Sequence, residues 1–176
     1  MPAAMILRPA LPEDAPALSA LGRDAFVAAF GHLYEPLNLA QFLDMVHDVN
    51  AVAQEIADPA IIHRLAADGL GGALAGYAKL KQPSDYAAYS DAHNPIVLGQ
   101  LYTAPGRTGE GIGAALMEWA IAEARLRGSD AIQLSVWSEN YGAQKFYQRY
   151  GFGHIADIDF WVGNHRDDEF LYELRL

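Results

Sequence analysis

Between Leu101 and Leu116 the chain reads Leu-Tyr-Thr-Ala-Pro-Gly-Arg-Thr-Gly-Glu-Gly-Ile-Gly-Ala-Ala-Leu, a strand that breaks at Pro105, a glycine-rich turn and the start of a helix. Gly109, Gly111 and Gly113 alternate, so main chain can approach a ligand with no side chain in the way. The first turn of a helix presents free amide hydrogens and a partial positive charge, which together seat a phosphate or pyrophosphate. These residues therefore suit main-chain binding of a nucleotide-bearing cofactor, although a tight strand-to-helix turn without a ligand fits them equally well. No Gly-Lys-Ser or Gly-Lys-Thr follows, so the nucleotide-triphosphate loop is excluded. The dinucleotide fingerprint fits poorly too, because Asp130 begins a strand where a ribose contact needs an acid at a strand end.

A second stretch adds a different chemistry. From Leu134 to Phe152 a strand pattern gives way to a helix on which Asn140, Ala143, Phe146, Tyr147 and Tyr150 share one face by their spacing. A face built only as core rarely begins with Asn and carries phenols at apolar positions, though Tyr150 also suits a packed aromatic face. Taken together the two stretches resemble the GCN5-related N-acetyltransferases, and the resemblance covers nearly the whole chain. In that family an Arg/Gln-x-x-Gly-x-Gly/Ala loop is followed by an Asn-x-x-Ala-x-x-Phe-Tyr helix and a Gly-Phe strand start. The loop is here Thr108-Gly109-Glu110-Gly111-Ile112-Gly113, the helix Asn140 to Tyr147, and the strand start Gly151-Phe152. Thr108 stands where the family has Arg or Gln, and Arg107, one residue earlier, is the candidate for the missing charge.

The resemblance implies acetyl-coenzyme A as cofactor and a set of roles. Main-chain amides of Gly109, Glu110, Gly111, Ile112, Gly113 and Ala114 would hold the pyrophosphate. Leu101, Tyr102 and Thr103 would pair with the pantetheine arm like an added strand. Asn140 would hydrogen-bond that arm, with Ala143 and Phe146 on the same helix face. Tyr147 would protonate the departing thiolate, a task suited to a phenol of pKa about 10. The family often carries a Glu before the loop; that position is Val97 here, and Ile96 to Thr103 holds no carboxylate. A water relayed by main-chain carbonyls or Tyr102 is the expected substitute. A closer likeness to the bacterial spermidine/spermine-type acetyltransferases rests on Gln100-Leu101-Tyr102 and on Trp161-Val162-Gly163 through Asp167-Asp168-Glu169-Phe170-Leu171.

The expected activity is acetyl transfer to a primary amine of a small molecule, with a polyamine as one such acceptor, by direct attack in a ternary complex. The acceptor side is assigned to Phe30, Tyr34 and Glu35. Transfer to a protein N-terminus or lysine is the alternative within the enzyme class, and a non-catalytic acyl-coenzyme A binding module is the alternative outside it.

The elements that must position these residues follow from periodicity. Met5 to Arg8 reads as a first strand. Pro12-Glu13-Asp14 opens a helix whose apolar face carries Leu18, Leu21, Ala25, Phe26 and Ala29, ending at Gly31. Helical stretches follow from Leu39 to Val46 and from Ala51 to Ala57. Ile62 to Ala67 and Ala73 to Leu80 form a hairpin, Pro83 to Pro95 a loop, and Ile96 onward the strand that enters the glycine turn. A helix from Ile112 to Arg127, a strand through Ile132, Leu134 and Val136, a helix from Asn140 to Gly151, and strands Phe152 to Val162 and Phe170 to Leu176 complete the chain. The fold class is α/β: one N-acetyltransferase-like domain over residues 1–176, with a mixed, mostly antiparallel central sheet covered by helices on both faces.

Charge and composition narrow the partners. Twelve Lys and Arg against twenty-two Asp and Glu give a formal charge of -10, which argues against nucleic acid as a partner and suits a cationic substrate. No cysteine is present, so no thiol nucleophile, thiolate ligand or disulfide is available. The six histidines lack metal-ligand spacing, and no metal is expected. Met1 to Arg8 lacks a signal-peptide pattern and no apolar run spans a bilayer, so the expected location is cytoplasmic without membrane association; a homodimer is compatible. Asp167-Asp168-Glu169 is read as a solvated turn, with contact to a cationic acceptor as the minor alternative.

Overall fold

The computed structural model describes residues 4–176, so Met1 to Ala3, on which part of the leader reading falls, lie outside the described residues. The elements are β1 (Met5–Pro9), α1 (Ala15–Phe30), α2 (Pro36–Val46), α3 (Val49–Ala57), β2 (Ile61–Asp68), β3 (Leu74–Lys81), β4 (Pro95–Thr103), α4 (Ile112–Leu126), β5 (Ala131–Trp137), α5 (Tyr141–Arg149), β6 (Gly153–Val162) and β7 (His165–Arg175). The seven strands form one sheet in the order β1-β2-β3-β4-β5-β7-β6. Among the described residues only β4 and β5 run parallel, joined by the α4 crossover. Among the described residues no helix is long and apolar enough to cross a membrane.

Each face of the sheet has its own helices. On one, Leu116, Met117, Ala120 and Ala124 of α4 are wholly buried against Ile96, Leu98, Ile132 and Leu134, with Phe146 and Tyr147 of α5 packed beside them. On the other, Leu18 and Leu21 of α1 pack with Val52 of α3 and with Leu65 and Tyr77. The far end of α1 joins α2 through Phe26 and Phe42, whose ring centroids lie 4.5 Å apart.

Two helices begin earlier than their apolar periodicity shows. Helix α2 starts at Pro36, whose fixed φ and missing amide suit a first helical position, rather than at Leu39. Helix α3 starts at Val49 because the Asp48 carboxylate accepts the free amides of Asn50 and Ala51. The larger correction falls at the end of the chain. Asp167 to Glu169 is not a solvated turn: β6 and β7 are joined by Gly163 and Asn164 alone, and strand β7 begins at His165. Strand β7 lies inside the sheet between β5 and β6, and packing covers Asp167 and Glu169 on one of its faces and Tyr172 on the other, while Asp168 stays out.

One irregularity makes the site. Lys79 pairs with Gln100 and Leu80 with Leu98, leaving Gly99 as an extra residue in β4. Such a bulge bends and twists its strand. Pairing between β4 and β5 covers only Pro95 to Val97 against Ala131 to Gln133, although the strands continue to Thr103 and Trp137. Beyond Val97 they diverge, and a gap opens in the middle of the sheet.

Candidate active site

The gap is the mouth of a cavity of about 360 Å³. Leu98 to Thr103 form one wall and Ser135, Val136 and Trp137 the other; Asn140, Ala143 and Tyr147 of α5 close one end, and Phe26, Phe30 and Tyr34 approach from the α1 side. On the side facing the gap, Leu98 to Thr103 have no strand partner among the described residues. Their main-chain donors and acceptors are therefore free to pair with an extended ligand.

The glycine loop lies at the open end. Gly109 and Gly111 adopt φ of +85° and +80°, conformations that strain any side chain, and an added Cβ on either would meet nothing within 4 Å. Both residues are thus demanded by backbone geometry and leave open space above the main chain. Gly111 is also the residue before α4, so the amides that follow belong to the first turn of that helix and have no intrahelical acceptor. Thr108 lines the cavity, whereas Arg107, Gly109, Glu110, Gly111, Ile112, Gly113, Ala114 and Phe146 do not. Ile112 is buried in the core and Gly113 packs toward the Phe146 ring.

Arg107 is already engaged. Its guanidinium donates to both Asp68 carboxylate oxygens at 2.7 and 3.0 Å and to Glu110 at 3.0 Å. These two carboxylates compensate its charge, so it shapes the loop by tying it to the end of β2.

Asn140 and Tyr147 come from the same helix. The Asn140 side-chain oxygen accepts from the Ala143 amide at 3.2 Å and caps α5, which leaves its amide nitrogen as a donor at the cavity wall. Tyr147 is held by the Phe146 and Phe152 rings. Burial, with the charge of Glu169 nearby, pushes its phenol up to about 12, so it stays protonated through neutral pH. Burial and the nearby Tyr147 also raise the Tyr102 phenol well above its ordinary range.

On the acceptor side, Tyr34 donates to Asp167 at 2.5 Å, bridging the end of the α1 region to β7. Phe30 meets the Trp137 ring edge-on at 6.3 Å. Glu35 does not join them: it is the exposed residue preceding α2, and its carbonyl accepts the Leu39 amide. Glu169, assigned from the sequence to a solvated turn and to no catalytic role, lines the cavity at 8 % exposure. Burial first, and then the neighbouring Asp167 charge, push its carboxyl up to about 8. The only local sign of it is alternation, Asp167, Glu169, Leu171 and Glu173 falling on one face of a strand.

Residues 23–152 match the Acetyltransferase (GNAT) family. The chain belongs to this family. A relative in Lactobacillus delbrueckii subsp. lactis, named as an uncharacterized N-acetyltransferase, is 28% identical over 165 residues, covering 93% of each chain. The PaiA N-acetyltransferase of Thermoplasma acidophilum, solved with coenzyme A, shares the fold with a TM-score of 0.79 at 21% identity over 98% of this chain and 99% of its own. The ribosomal-protein-S18-alanine N-acetyltransferase of Escherichia coli superposes with a TM-score of 0.71 at 18% identity, covering 98% of this chain and 94% of its own. These two structures share the fold of this chain, and the family match makes the enzyme class that of an acyltransferase.

Proposed function

We propose that this GNAT protein transfers the acetyl group of acetyl-coenzyme A to a primary amine of a small, cationic molecule, by direct attack with both substrates bound. The observation that carries the reading is the gap between β4 and β5, with free main chain on one wall and the Tyr147 phenol at its end.

The residues present fit the cofactor. The open space over Gly109 and Gly111 and the amides at the start of α4 suit a pyrophosphate, and the unpartnered edge of Leu101 to Thr103 suits the amides of a pantetheine arm. Arg107 being compensated, main-chain amides carry most of the phosphate binding. The Asn140 amide nitrogen is placed to donate to the arm. Bound in this way, acetyl-coenzyme A supplies a thioester whose carbonyl carbon is open to an amine. Tyr147 Oη, held neutral, then donates its proton to the sulfur.

The acceptor reading rests on the other side of the gap. The Tyr34 to Asp167 bridge and the Phe30 to Trp137 contact bound the cavity there, which favours a compact acceptor over a peptide. Asp167 and Glu169, on one face of β7, give that side acidic character, while Asp168, on the other face, is paired with Arg166. A polyamine combines small cross-section with positive charge.

Thiol release from acetyl-coenzyme A, measured across polyamines, aminoglycosides, amino acids and peptides, tests the reading. Turnover with polyamines supports it. Turnover with peptides alone replaces it by protein acetylation, and tight acetyl-coenzyme A binding with no turnover replaces it by a non-catalytic binding role.

A further inference from the structure

An alkylammonium has no lone pair, and its pKa of about 10 keeps it charged at neutral pH, so an acceptor must lose a proton before it attacks. Strand β4 offers no carboxylate for this, since Val97 occupies the expected position. Four acids are buried among the described residues: Asp14, Asp167, Glu169 and Glu173. Asp14 is paired with Arg8, Asp167 accepts from Tyr34 and contacts His165, and Glu173 accepts from Gln133 and Arg175. The Glu169 carboxylate has no hydrogen-bond or ion-pair partner among the described residues, and it lines the active-site cavity. An unpaired carboxylate in such a place costs stability, and an apolar residue there would fold better.

Its direction of approach is the second observation. Residues 167, 169, 171 and 173 share one face of β7; Phe170 and Tyr172, on the other, pack into the core under α4. Glu169 therefore reaches the gap from the α1 side, where Phe30 and Tyr34 lie, while Tyr147 reaches it from α5, which packs with α4. The two titratable groups flank the gap from opposite faces of the sheet. The groups facing Glu169 are Asp167 on its own strand, Tyr34 after α1, Tyr86 from the loop before β4, Tyr102 of β4 and Tyr147 of α5, with no Lys or Arg among them.

We propose that Glu169 is the general base of the transfer, its carboxylate taking a proton from the acceptor's ammonium. The inference rests on the acetyl-transfer reading and supplies the base that β4 lacks. One N–H bond breaks, an O–H bond forms on Glu169, and the electron pair stays on nitrogen. The amine then forms the C–N bond as the C–S bond parts, the electron pair leaving with sulfur, which takes the Tyr147 proton. The proton that nitrogen sheds on becoming an amide restores the Tyr147 phenol, and Glu169 returns its own proton to solvent. The sum is one ammonium and one thioester converted to one amide, one thiol and one released proton.

A carboxyl pushed up to about 8 is matched to this task, because a general base works best when its pKa lies near the operating pH. The pair is also coupled. The Glu169 charge is one of the two causes that hold the Tyr147 phenol up to about 12. A proton arriving on Glu169 removes that charge and makes Tyr147 a stronger acid just before the sulfur needs its proton.

The test uses the full chain, acetyl-coenzyme A and two acceptors: spermidine, an ammonium at neutral pH, and 2,2,2-trifluoroethylamine, a weak base largely neutral there. With spermidine, kcat/KM of the unaltered enzyme should rise with pH and level off near 8. Glu169→Gln should lower it about 10²- to 10³-fold at pH 7, within the range of general-base effects, and its profile should keep rising above pH 8. With trifluoroethylamine the loss should stay below about tenfold, and Glu169→Asp should restore part of the spermidine rate. Acetyl-coenzyme A affinity, read by calorimetry, should be unchanged throughout. Equal losses on both amines, or a Glu169→Gln profile that levels off near 8, would overturn the assignment. If Glu169→Gln fails to fold, a wild-type profile with no inflection near 8 overturns it instead. Cofactor binding with no transfer to either amine overturns the parent reading, and this one with it.

Discussion

Burying Glu169 without a partner has a thermodynamic signature that is independent of catalysis. Its carboxyl is raised from 4.5 to about 8. Between those values the native state holds a proton that the unfolded chain has released, so stability falls as pH rises. The contribution is complete below about pH 4.5 and is lost as pH rises through about 8. At about 1.36 kcal/mol per pH unit, the span corresponds to about 5 kcal/mol as an upper value, and water entering the cavity reduces it to an expected 2–5 kcal/mol. Glu169→Gln keeps the shape and removes the titration. Urea unfolding of both proteins at pH 5, 7 and 9 should show the glutamine variant gaining on the wild type with pH, by about 2 kcal/mol or more at pH 9 relative to pH 5. His47 titrates in the same experiment with the opposite sign, burial holding its imidazole down at about 4, but it contributes equally to both proteins and cancels. A wild-type-to-variant difference constant to within about 0.5 kcal/mol across this range would refute the claim that Glu169 is buried and unpaired.

Other consequences are testable in simpler ways. Tyr147→Phe should lower kcat about 10²-fold or more with little change in acetyl-coenzyme A affinity, measured by initial rates and calorimetry. Gly22→Ala places a methyl 2.5 Å from His47 Nδ1 and 2.8 Å from Tyr77 Oη in a buried cluster, so chemical denaturation should show a loss of about 1–3 kcal/mol. Arg107→Ala leaves Asp68 and Glu110 without their shared cation beside the predicted phosphates. Acetyl-coenzyme A should then bind severalfold more weakly at low salt, and added salt should narrow the difference. His47, neutral when buried, binds its proton more readily in the unfolded chain between about pH 4 and 6.5, so stability falls as pH drops through that window. Thermal scans at pH 7 and 4.5 should show this fall, and His47→Gln should reduce it.

Most of the fold was legible because local pattern and tertiary packing agree. The α1 face at Leu18, Leu21, Ala25 and Phe26 is buried as its spacing requires, and Asn140 caps α5 as its position before the helix demands. Strand β7 was half missed for the same reason reversed. Three consecutive acids look like solvent-facing chain, and although Gly163-Asn164 is a hairpin turn to β6, nothing local reveals that β5 will flank them on the other side. Glu35 was drawn toward the acceptor side by sequence proximity to Tyr34, yet the turn into α2 points the two residues differently, one to Asp167 and the other to solvent.

The sequence by itself determined the strand, glycine turn and helix from Leu101 onward, the Asn140 to Tyr147 face, and through them the family. Those are local properties: φ values only glycine adopts easily, a capping oxygen, a helical period. Tertiary structure alone decided the rest, because it depends on which distant segments meet. Asp68 claims Arg107 from 39 residues away, the Gly99 bulge against β3 parts β4 from β5, and the pairing of Trp137 with Glu169 brings a carboxylate to the gap that its own neighbours in sequence give no reason to expect.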